Sequence, residues 1–242
     1  EPSPGFGQVK IQVKATGICG SDLHTYHGDI GIPMKLPVVT GHEFSGVVVE
    51  VGEGVEDIEV GERVTAETTF STCGRCIHCQ TGAYNLCLER RGIGYYLNGA
   101  FANYIVVPAI RVHRLPDNVD FIGGALSEPL ACVVHGALEL TGVSAGDVVL
   151  VTGPGAIGLL TMQVAKAEGG LVVAAGTSVD KHRLEVAKSL GVDYVVNVQE
   201  DDVDGLLKDL TNGRGADVVL ECSGSASGAR LALKVVRRGG KY

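Results

Sequence analysis

The stretch DVVLVTGPGAIG, Asp147 to Gly158, decides the fold of the second half of the chain. Val148 to Val151 are continuously apolar, the pattern of a parallel strand covered on both faces. Gly153-x-Gly155-x-x-Gly158 comes directly after, and a helical pattern runs from about Ile157 to Glu168. Strand, glycine turn and helix in that order are the context a dinucleotide-binding turn requires. The first glycine makes the tight turn and the second lets the backbone approach a pyrophosphate. The third lets the helix pack on the strand, and the helix N-terminus favours the negative charge. Gly153, Gly155, Ala156, Ile157 and Gly158 are the candidate cofactor-binding residues here.

The alternation continues beyond this turn. Leu171 to Ala175, Tyr194 to Val198 and Asp217 to Glu221 read as strands. Lys181 to Leu190, Val203 to Leu210 and Ala226 to Arg237 read as helices. Such alternation predicts a doubly wound parallel sheet. Gly239-Gly240-Lys241-Tyr242 reads as a turn entering a further strand. At the end of the second strand an NAD site usually carries an acid for the ribose, and here Gly176 stands at that position. Thr177 and Ser178 offer hydroxyls to a 2′-phosphate, with Lys181 or Arg183 for charge. Asp180 offers a ribose acceptor instead, so NAD and NADP both stay open.

The first half has another period. Gln8 to Ala15 (QVKIQVKA) alternates, and Ser45 to Val51 (SGVVVEV) reads as a buried strand. Glu62 to Glu67 and Phe101 to Val107 are further strands between Gly-rich turns, which predicts a barrel-like β domain. Phe121 to Leu140 reads as helical, interrupted at Pro129. The expected division is residues 1–125 and 126–242.

Composition excludes several classes. The chain is 45% hydrophobic with mean hydropathy +0.22, enough for a sizeable core. A net charge of −8 argues against a nucleic-acid binder. No apolar run reaches a membrane span, and the first residues are not a signal peptide. Seven cysteines, four of them crowded together, suit metal binding in a reducing compartment, and the expected location is cytoplasmic.

Those four are Cys73-x-x-Cys76-x-x-Cys79 and Cys87. Their thiolates can close a tetrahedral shell around zinc, leaving no place for substrate, so this zinc in the 73–87 loop is expected to be structural. His78 lies inside the loop as a bystander. A second constellation joins Cys19-Gly20-Ser21-Asp22-Leu23-His24, Gly41-His42-Glu43 and Glu128-Pro129. Read alone, the His-Glu pair is a surface histidine beside a solvated carboxylate, Asp22 a turn residue and Glu128 a helix-start carboxylate. Together they offer sulfur, imidazole and carboxylate, the mixed set that suits a zinc with an open position.

These motifs, in this order, resemble the zinc-dependent medium-chain alcohol dehydrogenases, and within them the polyol (sorbitol), butanediol and threonine dehydrogenase branch. The resemblance covers essentially the whole chain. It implies a GroES-like β-barrel catalytic domain followed by a Rossmann domain, with the active site in the cleft between them. It also implies that family members begin before Gly5 and continue past Tyr242, so the chain is expected to lack both family ends.

The resemblance further implies two zincs per chain, one catalytic and one structural. Cys19, His42 and Glu43 correspond to catalytic-zinc ligands, and Glu128 to a carboxylate that joins the metal when substrate or water leaves. Asp22 is expected to accept the second ring N–H of His42. Ser21 is expected to touch the substrate hydroxyl, and His24 to end the proton path. The implied activity is hydride transfer between a secondary alcohol or polyol and NAD or NADP, by a homotetramer. L-Threonine 3-dehydrogenation is the alternative in the same class, and a non-catalytic zinc-binding relative the alternative in another.

Overall fold

In the computed structural model, residues 1–29, 31 and 34–242 are described. They divide into two units, Glu1–Glu128 and Pro129–Tyr242.

The first unit carries β1 (Gln8–Thr16), α1 (Gly20–His27), β2 (Phe44–Val51), β3 (Arg63–Ala66), β4 (Thr69–Ser71) and the short α2 (Ile77–Gln80). It continues with β5 (Arg91–Gly92), β6 (Tyr104–Pro108), β7 (Val112–Arg114) and α3 (Phe121–Ala125). Five strands form an antiparallel sheet in the order β6-β1-β2-β3-β7. Val9, Ile11, Phe44, Val48, Val64, Ile105 and Val107 build its core. Phe44 is fully buried, worth about 1.5–3 kcal/mol, and it anchors the end of β2 next to His42 and Glu43. β4 and β5 pair with each other and bracket the cysteine loop.

The helix read across Phe121–Leu140 is two helices and a wide final turn. α3 ends before Leu126, and α4 (Ser127–Val134) starts directly after it. Residues His135–Thr141 form a wider π-type turn. The break falls at Leu126, not Pro129. Pro129 occupies the first turn of α4, where a missing N–H costs no intrahelical bond.

The second unit holds β8 (Val148–Thr152), α5 (Ala156–Ala167), β9 (Leu171–Gly176), α6 (Lys181–Ser189) and β10 (Tyr194–Asn197). It ends with α7 (Val203–Leu210), β11 (Ala216–Glu221), α8 (Ala226–Val235) and β12 (Val236–Lys241). The strands are parallel in the order β10-β9-β8-β11-β12. All five residues of β8 are buried, as its continuous apolar run predicts. One sheet face packs on α5 and α6 through Met162, Ala165 and Leu184. The other packs on α7 and α8 through Leu207, Ala232 and Val235. Helix α8 stops at Val235, and Val236–Lys241 is strand, including the glycines read as a turn. The strand order reverses between β8 and β11, so their C-terminal ends form the crevice where such sheets bind ligands.

Candidate functional site

The β1–β2 register pairs Thr16 with Phe44. The antiparallel pairing therefore sets Gly17, on the far side of Thr16, beside Glu43, which leads into Phe44. The Gly17 N–H donates to the Glu43 carbonyl at 2.8 Å, and the Thr16 hydroxyl donates to the same oxygen at 2.9 Å. Cys19 then caps α1. The result is a cluster in which ligand atoms of Cys19, His42 and Glu43 all lie within 4.8 Å of one another. His42 and Glu43 are buried and Cys19 is half-buried.

Asp22 links the two segments in a way the sequence did not suggest. Its Oδ2 accepts the Cys19 N–H at 2.9 Å, and its Oδ1 accepts the Gly41 N–H at 3.2 Å. One buried carboxylate thus ties together the two backbone stretches that carry Cys19 and His42. Its distance to Nδ1 of His42 is 3.9 Å, too long for a hydrogen bond. Nδ1 of His42 is buried without a hydrogen-bond partner.

Electrostatics favours a cation at this cluster. The hydrogen bond to His42, then those to Ser21, push the Cys19 thiol down toward the thiolate that a metal requires. Burial alone would lower the pKa of His42, but Cys19 and the Glu128 and Asp22 charges outweigh it and raise it. Glu128, in the first turn of α4, is not among the three grouped ligands. It is near enough to feel the charges of His42 and Glu43, and burial, then Glu43, raises its carboxyl above the usual range. A half-buried thiol pushed toward its thiolate, an imidazole with an unpartnered nitrogen and a carboxylate fit a zinc ion.

Ser21 lies in the first turn of α1, and its hydroxyl is 2.8 Å from the phenol oxygen of Tyr95. The Tyr95 ring lies 5.5 Å, centroid to centroid, from that of His42. His24 is exposed, its Nδ1 3.1 Å from the exposed Asp29. The structure brings Ser21, Cys19, His42, Glu43 and Asp22 together and leaves His24 on the solvent side of α1. Sequence reasoning missed Tyr95 because only the fold brings Gly94-Tyr95 to α1. It missed Gly17, whose lack of a Cβ makes room for the Glu43 carboxylate. A glycine two residues before a candidate ligand was the available signal.

The four loop cysteines form a second group of potential ligands, all Sγ. Cys76–Cys79, Cys73–Cys87 and Cys73–Cys79 sulfurs lie 3.5, 3.6 and 3.9 Å apart, with no disulfide. Tetrahedral Zn–S bonds of about 2.3 Å place sulfurs about 3.8 Å apart, so the spacing fits. The Arg75 and Cys76 N–H groups bring the Cys73 thiol down to about 7. The Cys79 N–H alone would lower Cys76, but burial and the neighbouring thiols push it up to about 11. This competition for negative charge is what a bound divalent cation relieves. The loop is tied to the sheet through Glu67, which accepts from Tyr84 at 3.0 Å and Arg111 at 3.3 Å.

In the second unit Gly153 takes φ +84°, and a Cβ there would strike the Ser223 backbone. Gly158 packs against the Gly153 carbonyl. Gly155 faces open space at the start of α5, the room a pyrophosphate needs. A cavity of about 280 Å³ is lined by Thr152, Gly153, Gly176, Thr177, Asp180 and Ser225, among others. Asp180 is occupied: Oδ2 accepts from the Thr177 N–H and hydroxyl, and Arg183 pairs with Oδ1 at 3.2 Å. Ser178 is exposed, with its hydroxyl 3.3 Å from Glu200. Glu221, which the sequence did not single out, takes the Thr152 hydroxyl and the Ser223 and Gly224 N–H groups and so shapes the crevice.

The sequence profile of the alcohol dehydrogenase GroES-like domain matches residues 5–117, and that of the zinc-binding dehydrogenases matches residues 156–242. The chain is 51% identical to sorbitol dehydrogenase of Halalkalibacterium halodurans over 242 residues, 100% of this chain and 70% of the relative. It is 44% identical to D-arabitol-phosphate dehydrogenase of Enterococcus avium, covering 100% of this chain and 68% of that one. A solved structure from Sinorhizobium meliloti 1021, assigned as a zinc-binding dehydrogenase and bound to NADP, superposes with a TM-score of 0.91. It shares 38% identity, over 99% of this chain and 69% of that one. Among the described residues no helix is long and apolar enough to cross a membrane. With motif order, both domain profiles and these identities in agreement, the chain belongs to the zinc-dependent medium-chain dehydrogenase family.

Proposed function

We propose that this protein oxidises a polyol or other secondary alcohol with NAD(P), holding one catalytic and one structural zinc per chain. The observation that carries the reading is the convergence of Cys19, His42 and Glu43 within 4.8 Å beside the Ser21 hydroxyl. The names of the relatives at 51% and 44% identity support a polyol over L-threonine. Cys19, His42 and Glu43 would hold the catalytic ion, with Glu128 as an exchangeable ligand. Cys73, Cys76, Cys79 and Cys87 hold the structural one.

A zinc ion held by Cys19, His42 and Glu43 would supply a Lewis acid that polarises the substrate hydroxyl near neutral pH. The remaining work belongs to this chain's own side chains. Burial of His42 and Glu43 keeps water from the ligand atoms. Asp22 fixes the spacing of the two ligand-bearing segments. Ser21 takes the substrate's hydroxyl proton at Oγ. Gly153, Gly155 and Gly158 seat the pyrophosphate at the start of α5, and Gly176, Thr177 and Ser178 flank the ribose side. A nicotinamide held there would supply the hydride acceptor. The full-length protein is a cytoplasmic homotetramer, which light scattering and cell fractionation test.

The deciding experiment joins metal analysis of the full-length protein to a screen of diols, sugar alcohols and L-threonine for NAD(P)H formation. Two zincs per chain and NAD(P)H with polyols are expected. His42→Ala should empty one zinc site, and Glu128→Ala should keep the zinc but slow turnover. One zinc and no turnover would instead mark a non-catalytic relative.

A further inference from the structure

The proton taken up by Ser21 needs a way out, and the structure offers one that does not run through His24. Ser21 Oγ and Tyr95 Oη are 2.8 Å apart across 74 residues of sequence. The phenol is held by its own backbone. The Tyr95 carbonyl accepts the Lys35 N–H at 3.2 Å, and the Gly94 N–H before it bonds the Leu97 carbonyl at 2.7 Å. The ring lies beside that of His42. Tyr95 is half-buried. His24 faces Asp29, and both are exposed.

We infer that Tyr95 is the positioning partner of the Ser21 hydroxyl and the next group on the path of the substrate's proton. This rests on the dehydrogenase reading above. As the substrate O–H bond breaks, its proton forms a bond to Ser21 Oγ. The proton already on Ser21 passes to Tyr95 Oη, and the phenol's own proton leaves to water. Neither side chain gains net charge, and the electron pair of the carbon–hydrogen bond goes to the nicotinamide. Tyr95 touches neither substrate nor cofactor in this scheme and acts through Ser21.

The test uses the full-length zinc-loaded protein with Tyr95→Phe, Ser21→Ala and the double variant. Zinc content, KM and the single-turnover rate of NAD(P)H formation are measured for each. Tyr95→Phe is expected to keep its zinc and its KM while slowing the single-turnover rate roughly 10- to 100-fold, near the low end for a proton-transfer group. The double variant is expected to be no slower than Ser21→Ala alone, because both changes cut one path. A readout independent of activity is the ¹³Cζ resonance of Tyr95 in tyrosine-labelled protein, identified by its loss in Tyr95→Phe. It should shift in Ser21→Ala. An unchanged rate, a change in KM alone, or losses that multiply in the double variant would overturn the proposal. If the wild-type oxidises no alcohol, the dehydrogenase reading fails instead, and an unshifted Tyr95 resonance then removes the pairing as well.

Discussion

Gly17 and Glu43 share one space: the Glu43 carboxylate occupies the volume a Cβ on Gly17 would fill, while the Gly17 N–H holds the Glu43 carbonyl at 2.8 Å. Gly17→Ala must therefore push the carboxylate aside. It is expected to weaken catalytic-zinc binding about 10–100-fold while the cysteine loop keeps its ion. Zinc per chain after dialysis should fall from two toward one, and two tightly held zincs would refute the arrangement.

Asp22→Asn leaves one carbonyl oxygen where the carboxylate offers two. The Cys19 or the Gly41 N–H then meets an amide nitrogen. The expected cost is about 1–3 kcal/mol of stability, read by denaturant unfolding, together with weaker metal binding. A neutral result would mean that the two backbone bonds do not set the spacing.

Cys73→Ser removes the thiolate that the Arg75 and Cys76 N–H groups favour most. One zinc should be lost and Tm should fall by about 2–4 °C for each kcal/mol of loop stability given up. Calorimetry with metal analysis checks both. Unchanged metal content would contradict a four-cysteine site.

Glu200 places a carboxylate 3.3 Å from the Ser178 hydroxyl. A 2′-phosphate seated there would be repelled by an exposed charge, worth about 1 kcal/mol or less. Glu200→Gln is expected to raise kcat/KM for NADP relative to NAD a few-fold. An unaltered ratio would put the phosphate elsewhere.

Asp217 is buried, and burial acts to raise its pKa. The Val148 N–H at 2.9 Å and Arg237 at 2.6 Å outweigh this and hold it below the usual carboxylate range. A depressed folded-state pKa contributes stability that is present above the unfolded pKa of about 3.9. That stability is lost as pH falls through the folded value. Asp217→Asn should thus destabilise the protein at pH 7, and the gap from wild-type should close in acid. A gap that does not narrow as pH falls below the unfolded value of about 3.9 would mean that packing, not charge, is lost.

The parallel sheet was legible because β8 is buried on both faces, and its run Val148–Val151 carries that in every residue. The two groups of candidate metal ligands were legible because cysteine and histidine reveal metal chemistry by type. Gly17 and Tyr95 were not, because their roles arise from register: Thr16 against Phe44, and the turn after β5 against α1. Asp22 was singled out for the wrong bond. Its position three residues after Cys19 suits a helix cap, and that local geometry takes its oxygens before the imidazole can. The break at Leu126 was misread because proline is more conspicuous than a leucine between two short helices.

Two side-chain contacts of the first unit close spans of very different length. Cys73 and Cys87 are 14 residues apart, whereas Ser21 reaches Tyr95 over 74. Loop-closure entropy makes the longer span about 1.5 kcal/mol more costly. On a ribosome the difference becomes one of time. The cysteine group has all four members as soon as Cys87 emerges, whereas Ser21 still awaits Tyr95 and the Cys19–His42–Glu43 group still awaits the charge of Glu128. The four cysteines are thus all present before the surroundings of Cys19, His42 and Glu43 are, and these are complete only once the segment through residue 128 has been made.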